Sequence, residues 1–253
     1  MAKTFAITNQ KGGVGKTTTA VNLAASLSAS GARVLLVDLD PQGNATMGSG
    51  VNKRELKKSI YHLLLGLETI SSIKKYSQNG KFDILPSHRD LAGAEIELVD
   101  VDGREIRLKS ALAEVAHEYD YMLIDCPPAL NLLAVNALTA ADAVMIPMQC
   151  EYYALEGVSD LVNTIKKIRG NLNPRLEIEG LLRTMFDPRS TLAQQVSEQL
   201  KNHFGNKVYD TVIPRNIRLA EAPSYGQPAL MYDPSSKGAQ AYMALAREVL
   251  NKH

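Results

Sequence analysis

The sequence predicts an α/β fold, an open, mostly parallel twisted sheet with helices on both faces. Two observations carry that expectation. Short apolar runs alternate with longer amphipathic stretches, the pattern of parallel crossover units. Several of the short runs are apolar at every position, as strands buried on both faces must be.

The elements follow in order. Thr4 to Thr8 reads as a strand, then a glycine loop, then a helix from Lys16 to about Ser30, with Gly31 as its stop. Arg33 to Asp38 reads as a fully buried strand, and Pro41 to Lys58 as a polar, glycine-rich mobile loop. Ile60 to Leu65 is a short helix and Phe82 to Pro86 a strand ended by proline. Leu91 to Val99 and Ile106 to Glu118 read as helices, and Tyr119 to Asp125 as a strand stopped by Pro127 and Pro128. Asp142 to Pro147 is the next strand, followed by a helix from Ala154 to Arg169. Ile178 to Phe186 and Tyr209 to Ile213 are strands on either side of a helix from Leu192 to Phe204, and a helix from Ser235 to Asn251 comes last. No repeat, linker or break in composition divides the chain, so residues 1–253 are expected to form a single domain.

A composition of 45% hydrophobic and 22% charged residues excludes disorder and low-complexity classes. The N-terminus turns polar within ten residues, without an apolar core or cleavage site for secretion, and no apolar run is long enough to span a bilayer. Two cysteines, Cys126 and Cys150, make neither a disulfide framework nor a zinc site, so a reducing cytoplasm is the expectation. The formal charge of +1 excludes a simple polybasic nucleic-acid binder. Its distribution is uneven: Leu161 to Ala220 holds ten basic residues against five acids, leaving −4 for the remainder. That excess reads either as an ordinary solvated face or as a patch for phosphate backbones.

The segment Gln10-Lys-Gly-Gly-Val-Gly-Lys-Thr-Thr18 lies directly after a strand and opens a helix, the context of a phosphate-binding loop. Gly12, Gly13 and Gly15 lack a Cβ, so backbone N–H groups around Val14 can turn toward phosphate oxygens. The helix start at Lys16, Thr17 and Thr18 adds free N–H donors. Lys16 can reach the β and γ oxygens as a point charge, and the Thr17 hydroxyl can ligate Mg2+. Asp38 and Asp40 end one strand and Asp125 another, where ligands of open α/β sheets bind.

The loop departs from the common Gly-x-x-x-x-Gly-Lys-Ser/Thr form by having Gln10 at its first position and Lys11 next. Lys-Gly-Gly-Val-Gly-Lys-Thr resembles the deviant Walker A loop of the ParA/MinD family of P-loop ATPases. Asp-Leu-Asp-Pro-Gln-Gly-Asn44 and Ile-Asp-Cys-Pro-Pro128 are similar to that family's switch I and switch II. Asn131 to Asp142, Gln149 to Gly157, Ile213 to Asn216, Leu219 to Ser224 and Tyr232 to Gly238 resemble chromosomal ParA proteins of the Soj type, so the likeness covers nearly the whole chain. The phosphate loop comes early, which sets the chain apart from plasmid relatives that carry an operator-binding helix-turn-helix before it.

The resemblance implies slow Mg2+-dependent hydrolysis of ATP to ADP, in a sandwich dimer of two ATP-bound protomers. It implies non-specific binding of that dimer to DNA, stimulation by a ParB-type centromere-binding protein, and a nucleoid-associated cytoplasmic location. By the same resemblance Lys11 reaches the partner's nucleotide across the dimer interface, though it could instead only add charge to its own site. Asp40 orients or activates the attacking water, and Asp125 holds Mg2+ through water. Asp40 is counted with Thr17 and Asp125 around the metal, and Asp38 supports the loop and the Mg2+ shell. Pro214 and Asn216 sit where the family contacts adenine. Arg189 and Arg218 match its DNA-binding arginines and fall inside the basic segment.

Three rivals share the engine. A MinD-like ATPase positioning the division site from the membrane needs a basic amphipathic C-terminal helix. Here Tyr242, Leu245, Val249 and Leu250 read as core packing, with no membrane contact expected. A nitrogenase-reductase-like carrier needs cysteines placed to share an iron–sulfur cluster, which Cys126 and Cys150 do not match. A metabolic amidoligase would need a substrate site that no motif supplies.

Overall fold

The computed structural model describes residues 2–253. Eight strands form one sheet: β1 (Lys3–Ile7), β2 (Val34–Asp38), β3 (Lys75–Ser77), β4 (Phe82–Leu85), β5 (Tyr121–Asp125), β6 (Ala143–Gln149), β7 (Glu177–Phe186) and β8 (Val208–Pro214). Their order is β3-β4-β2-β5-β1-β6-β7-β8, parallel throughout except for the antiparallel edge strand β3. The helices are α1 (Lys16–Ala29), α2 (Asn44–Gly48), α3 (Ile60–Leu64), α4 (Ile70–Ile73), α5 (Leu91–Glu97), α6 (Arg107–Val115), α7 (Leu132–Ala140), α8 (Ala154–Asn171), α9 (Thr191–Phe204), α10 (Ile217–Glu221), α11 (Ala229–Tyr232) and α12 (Lys237–Lys252).

Strand alternation divides the core in two. Phe5, Ile7, Leu36, Leu123 and Met145 point to one face, where α1 and α12 cover them with Leu23, Leu27, Tyr242 and Leu245. Ala6, Leu35, Val37, Ile124 and Ile146 point to the other, under residues of α3, α5, α6, α7, α8 and α9. Helix spacing matches: α8 buries Val158, Leu161, Ile165 and Ile168, a stripe three to four residues apart. Tyr242, Leu245 and Val249 of α12 are buried as the sequence suggested, so this helix presents its apolar stripe to α1 and β8.

The strand order reverses beside β1. From β1 the chain crosses through α1 to β2 on one side, and from β5 through α7 to β6 on the other. The crevice beyond the carboxyl end of β1 is therefore where such sheets bind ligands.

Three expectations need correction. Pro41 to Lys58 is not a loop throughout: it contains α2 and a single turn at Lys53–Glu55, and Ala45, Thr46 and Gly48 are buried. The cause lies outside the segment, because Asp38 accepts hydrogen bonds from Thr46 N at 2.7 Å and Thr46 Oγ1 at 2.6 Å. The sequence reading also passed over α4 and β3, both short, and over α10 and α11 near the end.

Candidate functional site

β1 runs straight into the glycine loop and α1 starts at Lys16. Gly13 and Gly15 have φ of 72° and 88°, a left-handed backbone that L side chains rarely adopt. A Cβ on Gly12 or Gly13 would meet nothing within 4 Å, so the cradle beside them is open. Residues outside the motif hold the loop. Thr184 of β7 is buried and donates to the Val14 carbonyl at 2.7 Å, and Gln149 of β6 donates to the Gly13 carbonyl at 3.3 Å. The Asn9 amide reaches the Pro147 carbonyl at 2.8 Å while its oxygen accepts the Lys11 N–H. Sequence reasoning missed Thr184 and Gln149, which lie 170 and 136 positions away from their loop partners.

Lys16 is buried and its Nζ donates to the Lys11 carbonyl at 3.1 Å. Burial lowers its pKa, opposed by the negative charges of Asp125 and Asp40. The ammonium thus sits inside the cradle with one carbonyl partner and two more donors to give.

β2 and β5 are in register with Asp38 beside Asp125. Both carboxylates are fully buried at their strand ends. Asp125 Oδ2 accepts from Thr17 Oγ1 at 2.7 Å, whereas Asp125 Oδ1 is buried with no hydrogen-bond partner. Burial first, then the neighbouring charge of Asp38, pushes the Asp125 carboxyl well above the usual range. Asp38 is raised to about 6, chiefly by burial, with the Thr46 bonds acting against the rise. An unpartnered buried carboxylate oxygen costs stability, roughly 1–3 kcal/mol or more for a charge. A divalent cation beside Thr17 would relieve it, because hard oxygen ligands and a compensating charge are what the pair lacks. Among the described residues no three acidic, His or Cys side chains converge as a cage. The donor set suits an ion held by phosphate and water as much as by protein.

Asp40 lies two residues beyond Asp38, partly exposed, and its Oδ1 accepts the Gln42 N–H at 2.9 Å. Its carbonyl accepts from Ser87 Oγ at 2.7 Å, so the segment that follows β4 pins the loop. Lys11 is exposed and pairs with Glu151, at the end of β6 on the same protomer.

Beside α1 opens a cavity of about 210 Å³ lined by Gly15, Thr18, Met185, Pro214, Asn216 and Leu219 among others. Its walls are mostly apolar, and Thr18, Thr184, Arg215 and Asn216 are the polar residues among them. Asn216 also caps α10 by accepting the Arg218 N–H at 3.1 Å. The structure therefore brings Pro214 and Asn216 to the loop from some 200 residues away in sequence.

The basic segment does not form one patch. Arg183 is buried, donating to Ser197 Oγ at 2.7 Å and the Tyr209 carbonyl at 2.6 Å, so it ties β7 to α9 and β8. Arg189 and Arg218 are on the surface, following the adjacent strands β7 and β8. Arg189 pairs with Asp187 at 2.9 Å, and this partner holds the Asp187 carboxyl down at about 2. Arg218 pairs with Glu221 at 2.8 Å and Asp233 at 3.2 Å. Cys126 and Cys150 are buried thiols; burial raises both, Cys150 to about 11, so neither is a reactive thiolate. No helix among the described residues is long and apolar enough to cross a membrane.

Residues 2–178 match the family model of an AAA domain. The chain is 56% identical to the sporulation initiation inhibitor protein Soj of Bacillus subtilis, over 98% of each chain. It is 50% identical to the chromosome partitioning protein ParA of Caulobacter vibrioides, covering 99% of this chain and 94% of that one. Among solved structures, a cobyrinic acid a,c-diamide synthase from Mycobacterium smegmatis with a bound ATP analog and magnesium superposes with a TM-score of 0.87. It is 38% identical, covering 99% of this chain and 95% of that one.

Proposed function

The chain belongs to the ParA/Soj family of chromosome-partitioning P-loop proteins, and on that premise we propose that it is a Mg2+-dependent ATPase whose ATP-bound dimer holds DNA. The observation that carries the reading is the pairing of Thr17 with Asp125 beside the open glycine cradle, with Asp125 Oδ1 lacking a partner. Thr17 and Asp125 would hold Mg2+ there, and the ion would supply neutralisation of phosphate charge.

This chain's own residues divide the remaining work. Backbone N–H groups of the glycine loop and the start of α1 bind phosphate oxygens. Lys16 places its charge on the β and γ oxygens. Pro214 and Asn216 hold the adenine in the cavity beside Gly15. Asp40, partly exposed and presented by the turn to Gln42, orients the attacking water and accepts its proton. Asp38 keeps that turn in place through Thr46.

Lys11 provides the link to dimerisation. In the single chain its ammonium is neutralised by Glu151. That exposed pair contributes little, under about 1 kcal/mol, so phosphate charge from a second protomer can displace it. Lys11→Ala is therefore expected to bind ATP normally and fail to dimerise. Sedimentation with ATP reads the result, and a normal dimer with intact hydrolysis assigns Lys11 to its own phosphate site only.

Dimerisation would double the phosphate contacts of Arg189 and Arg218. Each arginine can exchange its carboxylate partner for phosphate, and two copies of both give about four contacts. Those four alone contribute roughly −3 to −4 to the slope of log affinity against log salt. Contacts of this kind position without reading sequence. A ParB-type protein then acts on the hydrolytic step, and the whole chain works as one ATPase domain on the nucleoid.

A further inference from the structure

Arg189 and Arg218 both have carboxylate partners, but three cations on another part of the surface do not. Among the described residues Arg54 and Arg89 have no carboxylate within ion-pair distance, and Lys53 donates only to the Gln42 carbonyl. The nearby acids are already engaged, Asp90 with His88 at 3.1 Å and Glu55 with Asn52 at 2.6 Å. Lys53, Arg54 and Arg89 line a cavity of about 440 Å³ whose wall is Pro41 and Gln42, on the loop that carries Asp40.

Lys53 and Arg54 also line an adjoining groove of about 710 Å³ that runs between Met47 and Tyr225. Tyr225 stacks on Tyr232 with ring centroids 5.0 Å apart. Tyr232 and Arg218 share Glu221, at 3.3 and 2.8 Å. The two walls of the groove are joined backbone to backbone: a Cβ on Gly50 would lie 2.9 Å from the Gly226 carbonyl oxygen. A continuous surface track thus leads from Arg218 past Tyr225 to Lys53, Arg54 and Arg89.

We propose that Lys53, Arg54 and Arg89 are a second stretch of the DNA-backbone path, continuous with Arg218 and laid against the Asp40 loop. The assignment rests on the DNA reading above and extends it to residues outside the basic segment. Cations without carboxylate partners lose no ion pair when they meet phosphate, and successive phosphates suit a track that is spread out rather than a single pocket. The Lys53 bond to Gln42 gives the path a mechanical connection to the hydrolytic turn. An acidic protein segment is the competing occupant of such a surface.

The test is the salt dependence of binding to a short labelled duplex of mixed sequence, using the full chain with ATP. Arg54→Gln/Arg89→Gln removes two contacts per protomer. The slope is expected to become shallower by roughly 3–4, with affinity lost equally on every sequence. ATP affinity should stay at the wild-type value, since neither side chain touches the phosphate loop. Arg189→Glu is measured alongside. If it weakens DNA binding while the double variant keeps the wild-type slope, the extended path is wrong and the DNA reading stands. That outcome also describes a surface reserved for an acidic protein. If wild type with ATP does not bind the duplex, both fall together.

Discussion

Lys16→Ala is expected to abolish nucleotide binding, the largest loss of any single change in this protein. The Lys16 ammonium is buried inside the glycine cradle and held at 3.1 Å from the Lys11 carbonyl, so its position is set before ligand arrives. Each hydrogen bond from a charged donor is worth about 1.5–3 kcal/mol. Losing two of them on the β and γ oxygens weakens binding by roughly 10²–10⁴-fold. A titration with a fluorescent ATP analogue reads the loss directly. Lys16 also offsets the negative charge of Asp125, so thermal unfolding of the variant should be recorded beside it. A folded variant with wild-type affinity contradicts the assignment of the loop.

Asp40→Ala is expected to separate binding from hydrolysis. ATP affinity stays, because the cradle is untouched, and turnover falls by about 10²–10⁴, the usual worth of a positioned general base. The variant should accumulate as an ATP-bound dimer. The alanine also removes the acceptor for the Gln42 N–H, which could loosen the turn. Asp40→Asn keeps an acceptor there and removes only the basic group, so it should show the same loss. Normal turnover in Asp40→Asn, or a variant that remains monomeric at saturating ATP, overturns the role of Asp40.

The central strands were legible because a parallel sheet requires continuous apolar runs, and residues 34–37 and 121–124 are such runs, each closed by an aspartate. β3 was illegible for the opposite reason. It is three residues long, two of them exposed, and exists only through antiparallel pairing with β4. α2 was hidden because its anchor is not in its own sequence. Thr46 folds against Asp38, whose carboxylate was read as a support for the loop and the metal shell with no partner named for it.

The phosphate loop was visible because its chemistry is local: glycines, a lysine and a threonine in consecutive positions. Its supports were not: Thr184 carries no motif, Gln149 opens a Soj-like stretch that says nothing of the loop, and both meet it only through strand order. Net charge was a poor guide to the surface. Counting included Arg183 in the basic excess from Leu161 to Ala220, whereas it is a buried tie between strands and helix. The run Lys53-Arg54-Glu55-Leu56-Lys57-Lys58 was in plain sight, but its companion Arg89 joins it only after folding.

The central claim is that ATP, through dimerisation, turns a nearly neutral protein into a DNA binder. The direct measurement is binding of wild-type protein to a mixed-sequence duplex at one fixed salt concentration, with ATP, with ADP and without nucleotide. Tight binding with ATP alone, accompanied by dimer in sedimentation, is the predicted result. Equal binding in all three states, or ATP-dependent binding by a species that stays monomeric, contradicts it.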